Sequence, residues 1–197
     1  MHPKTSLKWL CLAVIFGLSS IAFFPFSRSE DRLVEGVPVG EVFLAEQAGP
    51  GIPIRLRIPE IGIDTAIESV GLTPKGAIDV PKDFSNAAWF SFSSKPGEKG
   101  TSIIDGHSGW KNGVQSIFDN LYELEKGDKI YVEDGEGTTA IFVVRKLGTY
   151  SINDDVSEIF MSNDEEAHLN LITCSGPWNK NQKSPNDKLV LFAEKEI

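Results

Sequence analysis

Cysteine is nearly missing from this chain of 197 residues: there are two, Cys11 and Cys174. Cys11 lies inside a hydrophobic N-terminal segment. If that segment crosses a membrane, no disulfide partner remains and Cys174 is a lone thiol in an oxidising space. Histidine is almost as scarce, with three residues, and three imidazoles and one thiol without close spacing give no zinc pattern. Clusters of lysine and arginine are lacking too. A formal charge of −9 argues against a nucleic-acid surface and fits a solvated acidic exterior. There is no low-complexity tract and no internal repeat. No second long apolar run follows the first, so no C-terminal anchor is expected.

The one long apolar run is Trp9 to Ser27, with no charged side chain and about the length of a bilayer core. Lys4 and Lys8 precede it, and Arg28 behind it is soon diluted by Glu30 and Asp31. The positive-inside rule keeps the N-terminus in the cytoplasm and sends the rest out. Ser20-Ile21-Ala22 offers a small-x-small cleavage site, so a removed signal peptide is the alternative. Phe23-Phe24-Pro25-Phe26 extends the apolar run past that site and favours an anchor. The organisation expected is a cytoplasmic tip at 1–8, a transmembrane signal anchor at 9–27, a flexible Gly, Pro and acidic linker at 28–51, and one folded domain at 52–197.

The domain reads as mostly β. Ile54-Arg55-Leu56-Arg57-Ile58 alternates apolar and charged residues, the pattern of a half-buried strand. Further strands are expected at Thr65–Leu72, Ala87–Phe92, Thr101–Asp105, Lys129–Glu133, Thr139–Leu147, Leu169–Thr173 and Leu189–Ala193. Asp134-Gly135-Glu136-Gly137 is a hairpin-type turn. Ser116 to Leu124 has helical spacing, with Ile117, Leu121 and Leu124 on one side. Asp154 to Met161 makes one or two helical turns, with Asn153 as N-cap. About eight short strands, two small helical pieces and no βαβ rhythm point to a mainly β fold, and closure into a barrel removes exposed edges.

Two residues stand out chemically. Cys174 closes the apolar run Leu169-Asn170-Leu171-Ile172-Thr173, and His107 closes Ile103-Ile104-Asp105-Gly106. An ordinary thiol is only a few per cent thiolate at neutral pH, so a nucleophilic cysteine needs a base or cation nearby and a donor for the oxyanion it creates. Both residues fall at the ends of strands, where a barrel displays side chains at its rim. His168 reads as surface, and His2 lies at the cytoplasmic tip.

These residues resemble a known family. Leu171-Ile172-Thr173-Cys174 is similar to the L-x-T-C motif of sortases, and Gly106-His107 to the end of their histidine strand. Ser116-Ile117-Phe118, Leu121, Leu124 and Gly127-Asp128-Lys129-Ile130-Tyr131-Val132 resemble the stretch that follows. Ile58-Pro59-Glu60-Ile61-Gly62-Ile63-Asp64, with Trp89 and Pro96-Gly97, resembles the opening of the catalytic domain. The compact ending looks more like class F or E members than class C. The resemblance implies a closed eight-stranded barrel behind a transmembrane helix, and a single-pass enzyme of the bacterial cell membrane facing outward.

It also implies a cysteine transpeptidase without cofactor or metal. Cys174 would attack the Thr–Gly carbonyl of an LPXTG-like sorting signal, His107 would protonate the leaving amine, and an amine acceptor would resolve the thioacyl-enzyme. Thr173 would shape the substrate site. The partners would be sorting-signal-bearing surface proteins and that acceptor. One departure stands out: the family carries an arginine on its final strand, and by register Lys188 occupies that place. Lysine is a point charge, not a planar fork; Arg57 or Arg145 could substitute from elsewhere. A catalytically impaired, sortase-like surface-binding domain is therefore the alternative. An L,D-transpeptidase is disfavoured, because it expects a Ser-His-Gly-Cys cluster and Cys174 follows Leu-Ile-Thr. Calcium regulation through the acidic loops near Asp134 and Asp154 is a weak further reading.

Overall fold

The computed structural model describes residues 49–111, 113–151, 153–179 and 184–197. The expected anchor at 9–27 and most of the 28–51 linker lie outside them. Among the described residues no helix is long and apolar enough to cross a membrane.

Apolar alternation resolves into strands β1 (Pro53–Ile58), β2 (Ile63–Val70), β3 (Ala87–Phe90) and β4 (Gly100–Gly106). A small hairpin of β5 (Trp110–Lys111) and β6 (Val114–Gln115) follows. Then come β7 (Lys129–Asp134), β8 (Thr139–Ser151), a four-residue helix α1 (Ser157–Phe160), β9 (Ala167–Asn179) and β10 (Ser184–Lys195). Eight strands close into a barrel in the order β1-β2-β3-β4-β9-β10-β8-β7. Each of the eight pairs on both sides, which satisfies edges that an open sheet would leave bare. The β2–β3 and β4–β9 ladders are parallel.

The barrel interior holds Leu56, Ile58, Ile104, Phe142, Leu171 and Leu191 among others. Alternate residues of the same strands point outward, where Ile103, Ile172 and Val190 form a second cluster with Ile159 of α1. The middle of β4 is therefore covered on both faces, and its sequence reads as a run rather than an alternation.

Three local expectations change. Ser116 to Leu124 forms only a short 3₁₀ turn at Leu121–Glu123, although Phe118, Leu121 and Leu124 are buried. Spacing of three residues suits a 3₁₀ turn as well as an α-helix. α1 begins at Ser157 behind Val156, not behind Asn153; the Asp155 carboxylate accepts from the Ser157 amide at 2.9 Å. Finally, β9 and β10 run past the barrel as a ribbon, with Ser175 paired to Asp187 and Asn179 to Ser184. Ser175-Gly176-Pro177 looks like a loop because no apolar alternation marks it.

The acidic turn after β7 has a structural job. Asp134 accepts backbone hydrogen bonds from Gly51 (2.8 Å), Glu136 (2.9 Å) and Thr138 (2.8 Å). Burial pushes its carboxyl up, but these amides outweigh that and hold it below the usual range. The bond from Gly51 pins the start of the domain against the barrel.

Candidate active site

Cys174 lies in the middle of β9, directly across the ladder from Lys188 of β10. Ile172 lies two residues before Cys174 and Val190 two residues after Lys188; both face outward, so Cys174 and Lys188 do too. Lys188 Nζ donates to Cys174 Sγ at 3.2 Å. The lysine is exposed and the cysteine half-buried. The sulfur is thus reachable from solvent and already beside a cation.

His107 arrives from β4. The β4–β9 ladder ends at Asp105 opposite Ile172, and side chains continue the join. Thr173 Oγ1 donates to the Gly106 carbonyl at 2.7 Å, and Ser108 Oγ donates to the Cys174 carbonyl at 2.6 Å. Gly106 itself has no room for a side chain: a Cβ there would lie 2.3 Å from Phe118 Cδ2. The chain can pass Phe118 and deliver His107 only because that position is glycine. The imidazole stacks on Phe84, with ring centres 3.9 Å apart and planes 9° apart. Its Nε2 lies 3.0 Å from the Pro81 carbonyl. A carbonyl only accepts, so Nε2 carries hydrogen and Nδ1 is the nitrogen left to exchange a proton.

His107, Ser108, Trp110, Cys174 and Lys188 line one open cleft of about 970 Å³. The fold therefore brings His107, Cys174 and Lys188 together. Thr173 also borders the cleft, but it is buried and its hydroxyl is committed to Gly106. The other cations considered lie elsewhere. Arg57 sits 5.2 Å from the Tyr131 ring centre, and Arg145 pairs with Glu194 at 2.7 Å. No described arginine lines the cleft. His168 bonds Asp164 at 2.6 Å on another surface.

Sequence reasoning missed Phe84, Pro81 and Ser108. Ser108 follows His107 directly, which was a usable signal. Phe84 and Pro81 sit more than twenty positions upstream, in a segment with no regular pattern.

A chain of this architecture, with a thiol, an imidazole and an ammonium at one cleft, can be set beside known proteins. Residues 56–196 match the family model described as the sortase domain. The chain belongs to the sortase family. Several solved sortases share its fold. Sortase C-1 from Actinomyces oris is 23% identical, with 73% of each chain covered and a TM-score of 0.55. Sortase A from Corynebacterium diphtheriae is 23% identical over 77% of this chain and 63% of that one, with a TM-score of 0.58. Sortase C-1 from Streptococcus pneumoniae is 18% identical over 73% and 66%, with a TM-score of 0.56. At such identities the likeness is one of fold. No curated protein matches the chain. Sortases are cysteine transpeptidases, and this sortase presents its one described cysteine in that cleft.

Proposed function

We propose that this sortase is a membrane-anchored cysteine transpeptidase that cuts an LPXTG-like sorting signal and transfers the surface protein to an amine at the cell surface. The observation that carries the reading is the 3.2 Å hydrogen bond from Lys188 to Cys174 in the cleft shared with His107. The uncharged run Trp9–Ser27 behind Lys4 and Lys8 supports an outward-facing, single-pass anchor in a bacterial membrane. The class F or E character rests on the sequence resemblance alone.

In this reading Cys174 Sγ passes its proton to His107 Nδ1 and bonds to the carbonyl carbon of the peptide, and the carbonyl oxygen takes the negative charge. An ammonium carries three N–H donors, so Lys188 can hold the sulfur and then turn a donor to that oxyanion. As the C–N bond breaks, the amine leaves with a proton from His107 Nδ1. An acceptor amine next attacks the thioester, gives its proton back to His107, and forms the new amide as the C–S bond breaks. Two easier steps replace one hard exchange. Phe84 and the Pro81 carbonyl hold the imidazole and engage its Nε2 side, which leaves Nδ1 for the exchange. The same contact between Lys188 and Cys174 weighs against the impaired binding domain.

The test is incubation of the extracytoplasmic domain with a peptide library that includes LPXTG, together with candidate amines, and mass analysis of the products. Cleavage with transfer and a trapped acyl-Cys174 are expected. A library left uncut, with no adduct on Cys174, sinks the reading.

A further inference from the structure

A second groove meets the first at Lys188, which lines both. It occupies about 370 Å³ and is bordered by Ile78, Val80, Tyr150, Ile159 and Ile172. Among these mostly apolar walls lie two carboxyl groups: Asp154, which accepts from the Ser151 amide at 2.6 Å, and Asp105. Asp105 is the one that stands out. It is only 8% exposed, and among the described residues it makes no hydrogen bond or salt bridge. Burying such a group without a partner is costly, and a side chain of that kind calls for an explanation. Burial pushes its carboxyl from 3.8 up to about 7, with the charge of Lys188 pulling the other way. Lys188 acts on it only through its charge, since no hydrogen bond or salt bridge joins the two and the ammonium donates to Cys174. The fold gains nothing visible from this aspartate.

Its position relative to the nucleophile is fixed by register. Asp105 pairs with Ile172, which precedes Cys174 by two residues on the same outward face. Two residues of strand span about 6.6 Å, the repeat of an extended peptide. A substrate laid along this face parallel to β9, with its reacting carbonyl at Cys174, sets the residue two places upstream against Asp105.

We propose that Asp105 is the specificity-determining residue of this sortase, and that it selects a hydrogen-bond-donating side chain, lysine or arginine above all, two residues upstream of the one Cys174 attacks. This rests on the transpeptidase reading above and refines it. A proline there has no N–H to give and leaves the carboxyl unpaired. A cationic side chain supplies both donor and countercharge, and a site built to pair a polar group rejects the analogue that lacks it. The sorting signal of this chain accordingly departs from LPXTG at its proline.

The experiment is a peptide library varied at that one position, read as kcat/KM for wild type, Asp105→Ala and Asp105→Asn, with melting curves to show that each variant is folded. Wild type is expected to favour lysine and arginine over proline, alanine and leucine by about tenfold or more. Asp105→Ala should reverse that order, and Asp105→Asn should lose the preference for cations while still accepting asparagine and glutamine. Cleavage with a wild-type preference for apolar residues, unchanged in Asp105→Ala, overturns the proposal and leaves the transpeptidase reading standing. A library left uncut by the wild type overturns both.

Discussion

Lys188 faces Cys174 across the β9–β10 ladder, and its ammonium donates to the sulfur at 3.2 Å. The cation that the mechanism needs is delivered by strand register, so a slip of one residue would turn it to the opposite face. Both side chains share an open cleft with His107.

Removing the sulfur should end the chemistry. Cys174→Ala is expected to lower turnover of a cleaved sorting peptide by at least about 10³-fold and to abolish the acyl-enzyme seen by mass spectrometry. A variant that cleaves like wild type would remove Cys174 from the mechanism.

Lys188 should matter as a cation. Lys188→Ala is expected to lower kcat by about 10²- to 10³-fold, the usual loss when an oxyanion donor is removed. Lys188→Arg should keep or raise activity, because the guanidinium fork offers two-point contact. A loss with arginine as deep as with alanine would count against an electrostatic role for this position.

Phe84 should position His107. Phe84→Ala removes the face on which the imidazole stacks at 3.9 Å and is expected to lower kcat about tenfold with little change in KM. Alkylation of Cys174 at fixed pH should stay near the wild-type rate. Equal losses in both measurements would point to a disrupted cleft, not a displaced ring.

Asp105 should show in the pH dependence of stability. Its carboxyl ordinarily titrates near 3.8 and in the fold near 7, mainly through burial. Below both values the group is protonated in either state and costs nothing. Between them the unfolded chain ionises while the folded one does not, so stability falls as pH rises. Above about 7 the full penalty is present, about 4 kcal/mol by linkage. Asp105→Asn is therefore expected to raise Tm at pH 8 and to flatten its decline between pH 4 and 7. A parallel decline in the variant and wild type would mean that the carboxyl is not held up by burial.

Gly106 should tolerate no side chain. In Gly106→Ala the new methyl must displace Phe118, whose Cδ2 would lie 2.3 Å away and which is itself buried. A loss of about 1–3 kcal/mol is expected from chemical denaturation. An unchanged midpoint would show that Phe118 moves freely.

Much of this was legible in the chain. The alternation of Ile54 to Ile58 and the apolar runs before His107 and Cys174 marked the strands, because a half-buried strand repeats every two residues. The ribbon at Ser175–Asn179 was not legible, since its pairing with β10 needs no apolar pattern. The helix expected at Ser116 to Leu124 proved to be one 3₁₀ turn, because burial of Phe118 and Leu121 needs only their spacing.

By itself the sequence determined the chemistry available: one described thiol, a glycine-delivered imidazole, and a lysine where the family carries arginine. Tertiary structure decided what that chemistry meets. Ladder register put Lys188 against Cys174, the Phe84 ring stacked on His107, and residues packed over the outer face, among them Ile78, Val80 and Tyr150, enclosed Asp105 in the neighbouring groove. Those relations join residues 14 positions apart for Cys174 and Lys188, 23 for Phe84 and His107, and 67 for Asp105 and Ile172. Local periodicity fixes which way a side chain points, but only the pairing of strands fixes what stands across from it.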